Sequence, residues 1–171
     1  MDSLRVVTQR LELRPLPPEA AEALPLDRGK ASRDLNARVP DEWPQPDLLN
    51  VLPRQAAAFS GAECFGIWVM IEREGRAVVG DIGFHGPPDD QGAIEIGYCV
   101  VPSRRGRGYA SEAARAMVEW ASSRQNVRLI VAGCDPNNVP SICTLERAGF
   151  RRTGETNGQL RWRYDGEAVR S

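Results

Sequence analysis

The sequence predicts a mixed α/β fold built on one largely antiparallel sheet with a single parallel crossover. Three observations carry this. Three apolar runs of strand length follow one another from Cys64 to Val101 with only short turns between them, the mark of an antiparallel meander. An alanine-rich amphipathic stretch from Tyr109 to Ala121 separates the last of these runs from another, Val127–Cys134. A strand reached through a helix lies parallel to its predecessor. "FRRTGE" and "QLRWRYDG" then close the chain as a hairpin, giving the order β-(αα)-βββ-α-β-α-ββ over one domain, residues 1–171.

Each element has a local reason. "TQRLELRPL" (Thr8–Leu16) alternates apolar and polar residues and stops at proline, as a half-buried strand does. Helical pieces are predicted over Glu19–Leu24 and Asp47–Phe59. "VPDEWPQP" is a loop between them, because Pro40, Pro44 and Pro46 do not fit one continuous helix. The meander strands are Cys64–Arg73, Ala77–Gly86 and Ala93–Val101, joined by "EGR" and "PPDDQG". In the next helix Ala110, Ala113, Ala114, Met117 and Ala121 recur at i, i+3, i+4 spacing, a small-residue face for close packing on a sheet. In "DPNNVPSICTLERAGF" Asn138 is an N-cap, Pro140 lies in the first turn and Gly149 follows the last.

Composition excludes several classes. A net charge of −1 and a pI near 5.9 argue against a general nucleic-acid binder. No apolar run reaches the roughly 18 residues of a membrane span, and the opening lacks the apolar core of a secretory signal. The four cysteines form no C-x-x-C pair and there is one histidine, so no zinc site is expected. These features predict reduced thiols in a cytoplasmic protein with no metal, nucleic-acid or membrane partner.

The stretch most charged with chemistry is "RRGRGYASEA", from Arg104. It admits three readings. Arginines beside Tyr109 could hold a nucleic acid, but Glu112 and Glu119 follow at once. From Gly106 it begins a G-x-G-x-x-G dinucleotide turn, but Ser111 stands at the third glycine and a meander precedes it. From Arg105 to Ala110 it reads R-x-x-G-x-A. Glycines there let the backbone N–H groups turn inward, and the helix opening at Tyr109 adds its unpaired N–H groups and positive dipole end, as a phosphate cradle needs; a glycine-rich turn with solvated arginines and no ligand is the alternative.

Set between the "EIGY" strand and the alanine-rich helix, this motif resembles the acetyl-CoA loop of the GNAT superfamily of N-acetyltransferases. "TQRLELRPL", "VVGDIGFHG", "IEIGYCVVPSRRGRGYASEA", "NNVPSICTLERAGF" and the late "RWR" occur in the order and spacing of its RimJ/RimL-type branch, from about Thr8 to about Tyr164. The resemblance implies the GNAT fold: a mixed, mostly antiparallel sheet whose parallel fourth and fifth strands splay, with helices on both faces. It implies acetyl-CoA as cosubstrate, an amine acceptor and a possible homodimer. Pantetheine would bond the backbone of Val100 and Val101. The pyrophosphate would sit on Arg105, Gly106, Arg107, Gly108, Tyr109 and Ala110, with Asn138 and Ser141 lining the other side.

Acetyl transfer needs a neutral amine. A lysine-like amine near pKa 10.4 is only about 0.1% neutral at pH 7, a cost of roughly 4–5 kcal/mol, whereas an α-amine near pKa 8 costs about 1 kcal/mol. Glu95 is the candidate base: alternation places it with Gly97 and Cys99, opposite Ile94 and Ile96. A solvent-facing charge or a structural hydrogen bond is the alternative role for it. The departing thiolate needs a donor. Many relatives carry a tyrosine near the position of Leu145, absent here, and Ser141 is the candidate in its place; a serine bonding its own helix backbone is the alternative. By the same resemblance Trp43 lines the acceptor mouth or covers the core. His85, at a strand end before a proline turn, touches substrate or is a plain loop histidine. Trp68 and Trp120 are core residues. A domain that binds acetyl-CoA as a sensor or interaction module, with little catalysis, is the other functional reading.

Overall fold

In a computed structural model, which describes residues 4–58 and 65–164, the predicted meander pairs strand by strand. The elements are β1 (Val6–Val7), β2 (Leu11–Pro15), α1 (Pro18–Ala23), α2 (Arg28–Leu35), α3 (Pro46–Ala58), β3 (Ile67–Glu72), β4 (Ala77–Phe84) and β5 (Ala93–Val100). A 3-10 turn, Pro102–Arg104, leads into α4 (Tyr109–Ser122), followed by β6 (Leu129–Cys134), α5 (Val139–Arg147), β7 (Phe150–Thr156) and β8 (Gln159–Tyr164). One sheet results, in the order β1-β2-β3-β4-β5-β6-β8-β7. β5 and β6 are parallel and the other neighbours antiparallel. The predicted ends at Phe59, Cys64 and Asp165–Gly166 lie outside the described residues.

Two local differences from the sequence reading have simple causes. The strand expected from Thr8, β2, starts at Leu11 after a short β1, because Thr8 and Leu11 close a turn on themselves: the Thr8 N–H donates to the Leu11 carbonyl at 2.8 Å and the Leu11 N–H to the Thr8 hydroxyl at 3.0 Å. Helix α2 was not predicted. Its sequence, "RGKASRDL", is polar and contains a glycine, and it buries only Ala31 and Leu35. It forms because the Asp27 carboxylate caps the Lys30 N–H at 3.0 Å and Asn36, at φ +50°, ends it in a left-handed turn.

Strand alternation sorts the core into two layers. On one face Leu11, Leu13, Trp68, Met70, Val79, Ile82, Ile94 and Ile96 pack against α4 through Ala113, Ala114, Met117 and Ala121. Trp68 and Trp120 meet in this layer with ring centres 5.0 Å apart. On the other face Leu16, Val69, Ile71, Val78 and Val101 pack under α1, α2 and Trp43. That second cover stops at β4. Glu95, Gly97 and Cys99 on β5, and Leu129, Val131 and Gly133 on β6, keep partial exposure on the same side. The predicted placement of Glu95 opposite Ile94 and Ile96 is therefore the observed one.

Candidate active site

The parallel pairing of β5 with β6 is brief. It ends at Glu95–Val131, although β5 continues to Val100 and β6 to Cys134. Past that point the strands enclose a cleft of about 590 Å³. Tyr98 and Val100 line one wall, the Arg104–Ala110 turn the mouth, and Asn138, Ser141 and Cys143 the other wall. Of the residues expected at the cofactor, Val101 and Arg107 do not line it. Val101 is buried on the α1–α2 side, and its N–H already donates to the Val79 carbonyl at 2.9 Å. The alternation that turns Val101 toward β4 turns Val100 toward the cleft, where its carbonyl accepts Arg105 Nε at 2.9 Å.

Gly106 and Gly108 carry the turn at φ +77° and +84°, conformations that cost a side-chain-bearing residue 1 kcal/mol or more by rough estimate. No side chain caps α4, so the N–H groups of its first turn face the cleft mouth unpaired by a cap. The arginines act differently from a plain phosphate clamp. Arg104 pairs with Glu72 at 2.7 Å, and the Tyr109 hydroxyl donates to the same carboxylate at 2.5 Å. The Tyr109 hydrogen bond, with help from Arg104, holds the Glu72 carboxyl below its ordinary value despite partial burial. Arg107 offers its carbonyl to Arg10 Nη1 at 2.8 Å. Arg10 and Thr8 also bind Glu112 on α4, so the end of the first hairpin straps the turn in place.

On the far wall the Asn138 side chain caps α5 through the Ser141 N–H at 3.2 Å. The Ser141 hydroxyl lies 2.9 Å from the Tyr98 hydroxyl. Burial pushes the Tyr98 phenol up to about 12, so it keeps its proton at neutral pH and is available as a donor. Leu145, where relatives were expected to carry tyrosine, is fully in the core.

The open side of β5 carries a second group of polar residues. The Glu95 carboxylate is engaged at both oxygens, by His85 Nδ1 at 2.6 Å and by Arg161 Nη2 at 2.8 Å. Trp43 does not reach an open surface: it is fully buried and donates its indole N–H to Asp81 Oδ2 at 2.9 Å. Burial pushes the Asp81 carboxyl up to about 6 from 3.8, against the lowering effect of that indole. An acid whose folded value lies above its unfolded value binds its proton more tightly when folded, so stability falls as pH rises from about 4 to about 6. Asp81→Asn keeps an acceptor for Trp43 and removes that penalty. Its gain over the parent chain in urea melts is about 2–3 kcal/mol at pH 8 and vanishes near pH 4. A pH-independent difference would contradict this assignment.

A family model described as "Acetyltransferase (GNAT) domain" matches residues 10–151. The chain belongs to the GNAT acetyltransferase family. A relative from Bacillus subtilis (strain 168), "Uncharacterized N-acetyltransferase YjdG", is 32% identical over 92% of this chain and 95% of its own. The crystal structure of the ribosomal-protein-S5-alanine acetyltransferase from Vibrio fischeri shares the GNAT fold at a TM-score of 0.69, with 16% identity over 94% of this chain and 96% of that one. The microcin C7 self-immunity acetyltransferase MccE, solved with acetyl-CoA and AMP, superposes at 0.64, with 18% identity over 91% and 92%.

Four residues join the candidate site of this GNAT family member only through the fold. Tyr98 was read as part of a strand, and only its reach to Ser141 marks it. Arg161 lies in the "RWR" stretch, but its partner Glu95 is 66 residues away. Arg10 and Glu112 were unremarkable surface charges until the fold placed them behind the turn. Among the described residues no group of three His, Cys, Asp or Glu side chains is placed to hold a metal ion, and no helix is long and apolar enough to cross a membrane.

Proposed function

We propose that residues 1–171 act as a single N-acetyltransferase domain that moves the acetyl group of acetyl-CoA to a primary amine, on a protein N-terminus or a small molecule, in the cytoplasm. The observation that carries this is the split between β5 and β6 opening onto an uncapped helix through a glycine turn. The cleft suits the cosubstrate: backbone at Val100 for pantetheine, the Arg105–Ala110 backbone for pyrophosphate, and Asn138 and Ser141 opposite. The amine approaches from the open face of β5, beside the Glu95–His85 pair, and gives up a proton on that side. The amine nitrogen bonds to the thioester carbonyl carbon, the C–S bond breaks, and the Tyr98–Ser141 hydroxyl pair supplies a proton to the leaving thiolate. Both substrates are held together, so no acyl-cysteine forms and Cys99 and Cys143 are packing residues.

Acetyl-CoA raises the melting temperature whereas NAD does not. Free CoA appears with at least one amine of a panel of Ser- and Ala-terminated peptides, spermidine and kanamycin. Stabilisation by acetyl-CoA without CoA release on any amine would mean a binding module instead.

A further inference from the structure

We infer that His85, rather than Glu95, is the group that takes the proton from the amine, with Glu95 and Arg161 as positioning residues behind it. This rests on the acetyl-transfer reading above and specifies its proton path. His85 and Glu95 face each other across the sheet: the His85 N–H donates to the Glu95 carbonyl at 3.0 Å. Their side chains meet as well, Nδ1 to Oε2 at 2.6 Å. The other carboxylate oxygen is held by Arg161. A carboxylate with both oxygens engaged is poorly placed to receive a proton itself. It is well placed to hold an imidazole in one orientation and one tautomer, with the ring proton on Nδ1 and the Nε2 lone pair free.

Two glycines make this convergence possible. A Cβ on Gly97 of β5 would lie 3.0 Å from His85 Nε2, so the ring occupies the space that a side chain at that position would fill. A Cβ on Gly133 of β6 would lie 2.7 Å from Arg161 Nη1. The guanidinium thus crosses β6 over one glycine and the imidazole reaches over β5 at the other, and they meet at Glu95. The Glu95 side chain is 29% exposed, that of Arg161 34% and that of His85 62%, so the imidazole is the member of the group most accessible to an incoming amine. In the step itself the amine proton passes to Nε2 as the C–N bond forms, and the imidazolium is stabilised by Glu95. It loses the proton to solvent once product leaves.

His85 is the sole histidine in the chain, so its ring can be observed directly. Long-range ¹H–¹⁵N spectra of the ¹⁵N-histidine protein at about pH 8.5, where an ordinary imidazole is neutral, show the Nδ1–H form, and Glu95→Gln shifts the ring toward Nε2–H. With the panel amine that turns over fastest, His85→Gln lowers kcat by about 100-fold, with KM for acetyl-CoA within about twofold. Glu95→Gln lowers kcat by about 10-fold, and the double variant is no worse than His85→Gln alone, because the two act in series. An Nε2–H ring in the parent chain, or a larger loss from Glu95→Gln than from His85→Gln, overturns the inference and leaves the acetyltransferase reading standing. No turnover by the parent chain on any amine overturns both.

Discussion

Gly108→Val lowers affinity for acetyl-CoA by about 100-fold or more while the far-UV spectrum and the fold persist. Gly108 is the residue before α4 and sits at φ +84°, where a β-branched side chain is strained. Strain of this kind costs of order 1–3 kcal/mol, and the chain relieves it by turning the peptide over. Turning it over withdraws backbone N–H groups from the cleft mouth, and every 1.4 kcal/mol of lost contact is about tenfold in Kd. A Cβ there would meet only Arg10 Nη2, in ordinary contact at 3.4 Å, so the backbone strain and not a clash carries the effect. Titration calorimetry with acetyl-CoA reads the effect. Arg104→Ala is the control: that side chain is spent on Glu72, so its loss weakens binding only modestly. Equal losses from the two variants would mean that charge, not backbone shape, holds the pyrophosphate.

Trp43→Ala costs about 3–5 kcal/mol of stability, seen as a lower urea midpoint. The indole is fully buried beneath the α1–α2 side of the sheet, so truncation leaves a cavity that neighbouring side chains fill only in part. It also strips Asp81 of its one hydrogen-bond donor among the described residues. Trp43→Phe separates the two effects. It keeps much of the volume and leaves the carboxylate unpaired, at roughly 1–3 kcal/mol. The sequence left Trp43 between acceptor mouth and core cover. A variant that kept its stability and changed only the acceptor KM would return it to the mouth.

The local structure of the cleft mouth was legible in the sequence because its determinants are neighbours along the chain. The turn needs glycine at positions 106 and 108, and the helix that follows announces itself by alanine spacing. Asn138 caps a residue three places on. The Val101 N–H is already bonded to Val79, because backbone direction within a strand depends on which side the ladder uses, and that pairing is not written in either segment. The turn also directs the Arg107 carbonyl to Arg10, a contact 97 residues apart in the chain that the turn's own sequence does not announce.

The acceptor side was harder to read. Glu95 could be put on a face by alternation, but its partners could not be named. His85 and Arg161 reach it only because β4 lies beside β5 and β8 beside β6 in one particular register. Gly97 and Gly133 looked like ordinary strand glycines until that register showed which side chains pass over them. Tyr98 likewise became a candidate only when β5 and α5 met.

The sequence by itself determined the strand and helix order, the parallel crossover, the glycine cradle and the side of the sheet on which Glu95 lies. All of these follow from periodicity and turn chemistry within a few residues. Only the tertiary structure decided that Glu95 is shared between an imidazole and a guanidinium, that Ser141 is paired with Tyr98, and that Trp43 lies buried against Asp81. The His85–Glu95 contact spans 10 residues of chain, and the others span 38 to 66. They depend on strand register and on how loop and helix pack on the sheet, which no short segment encodes.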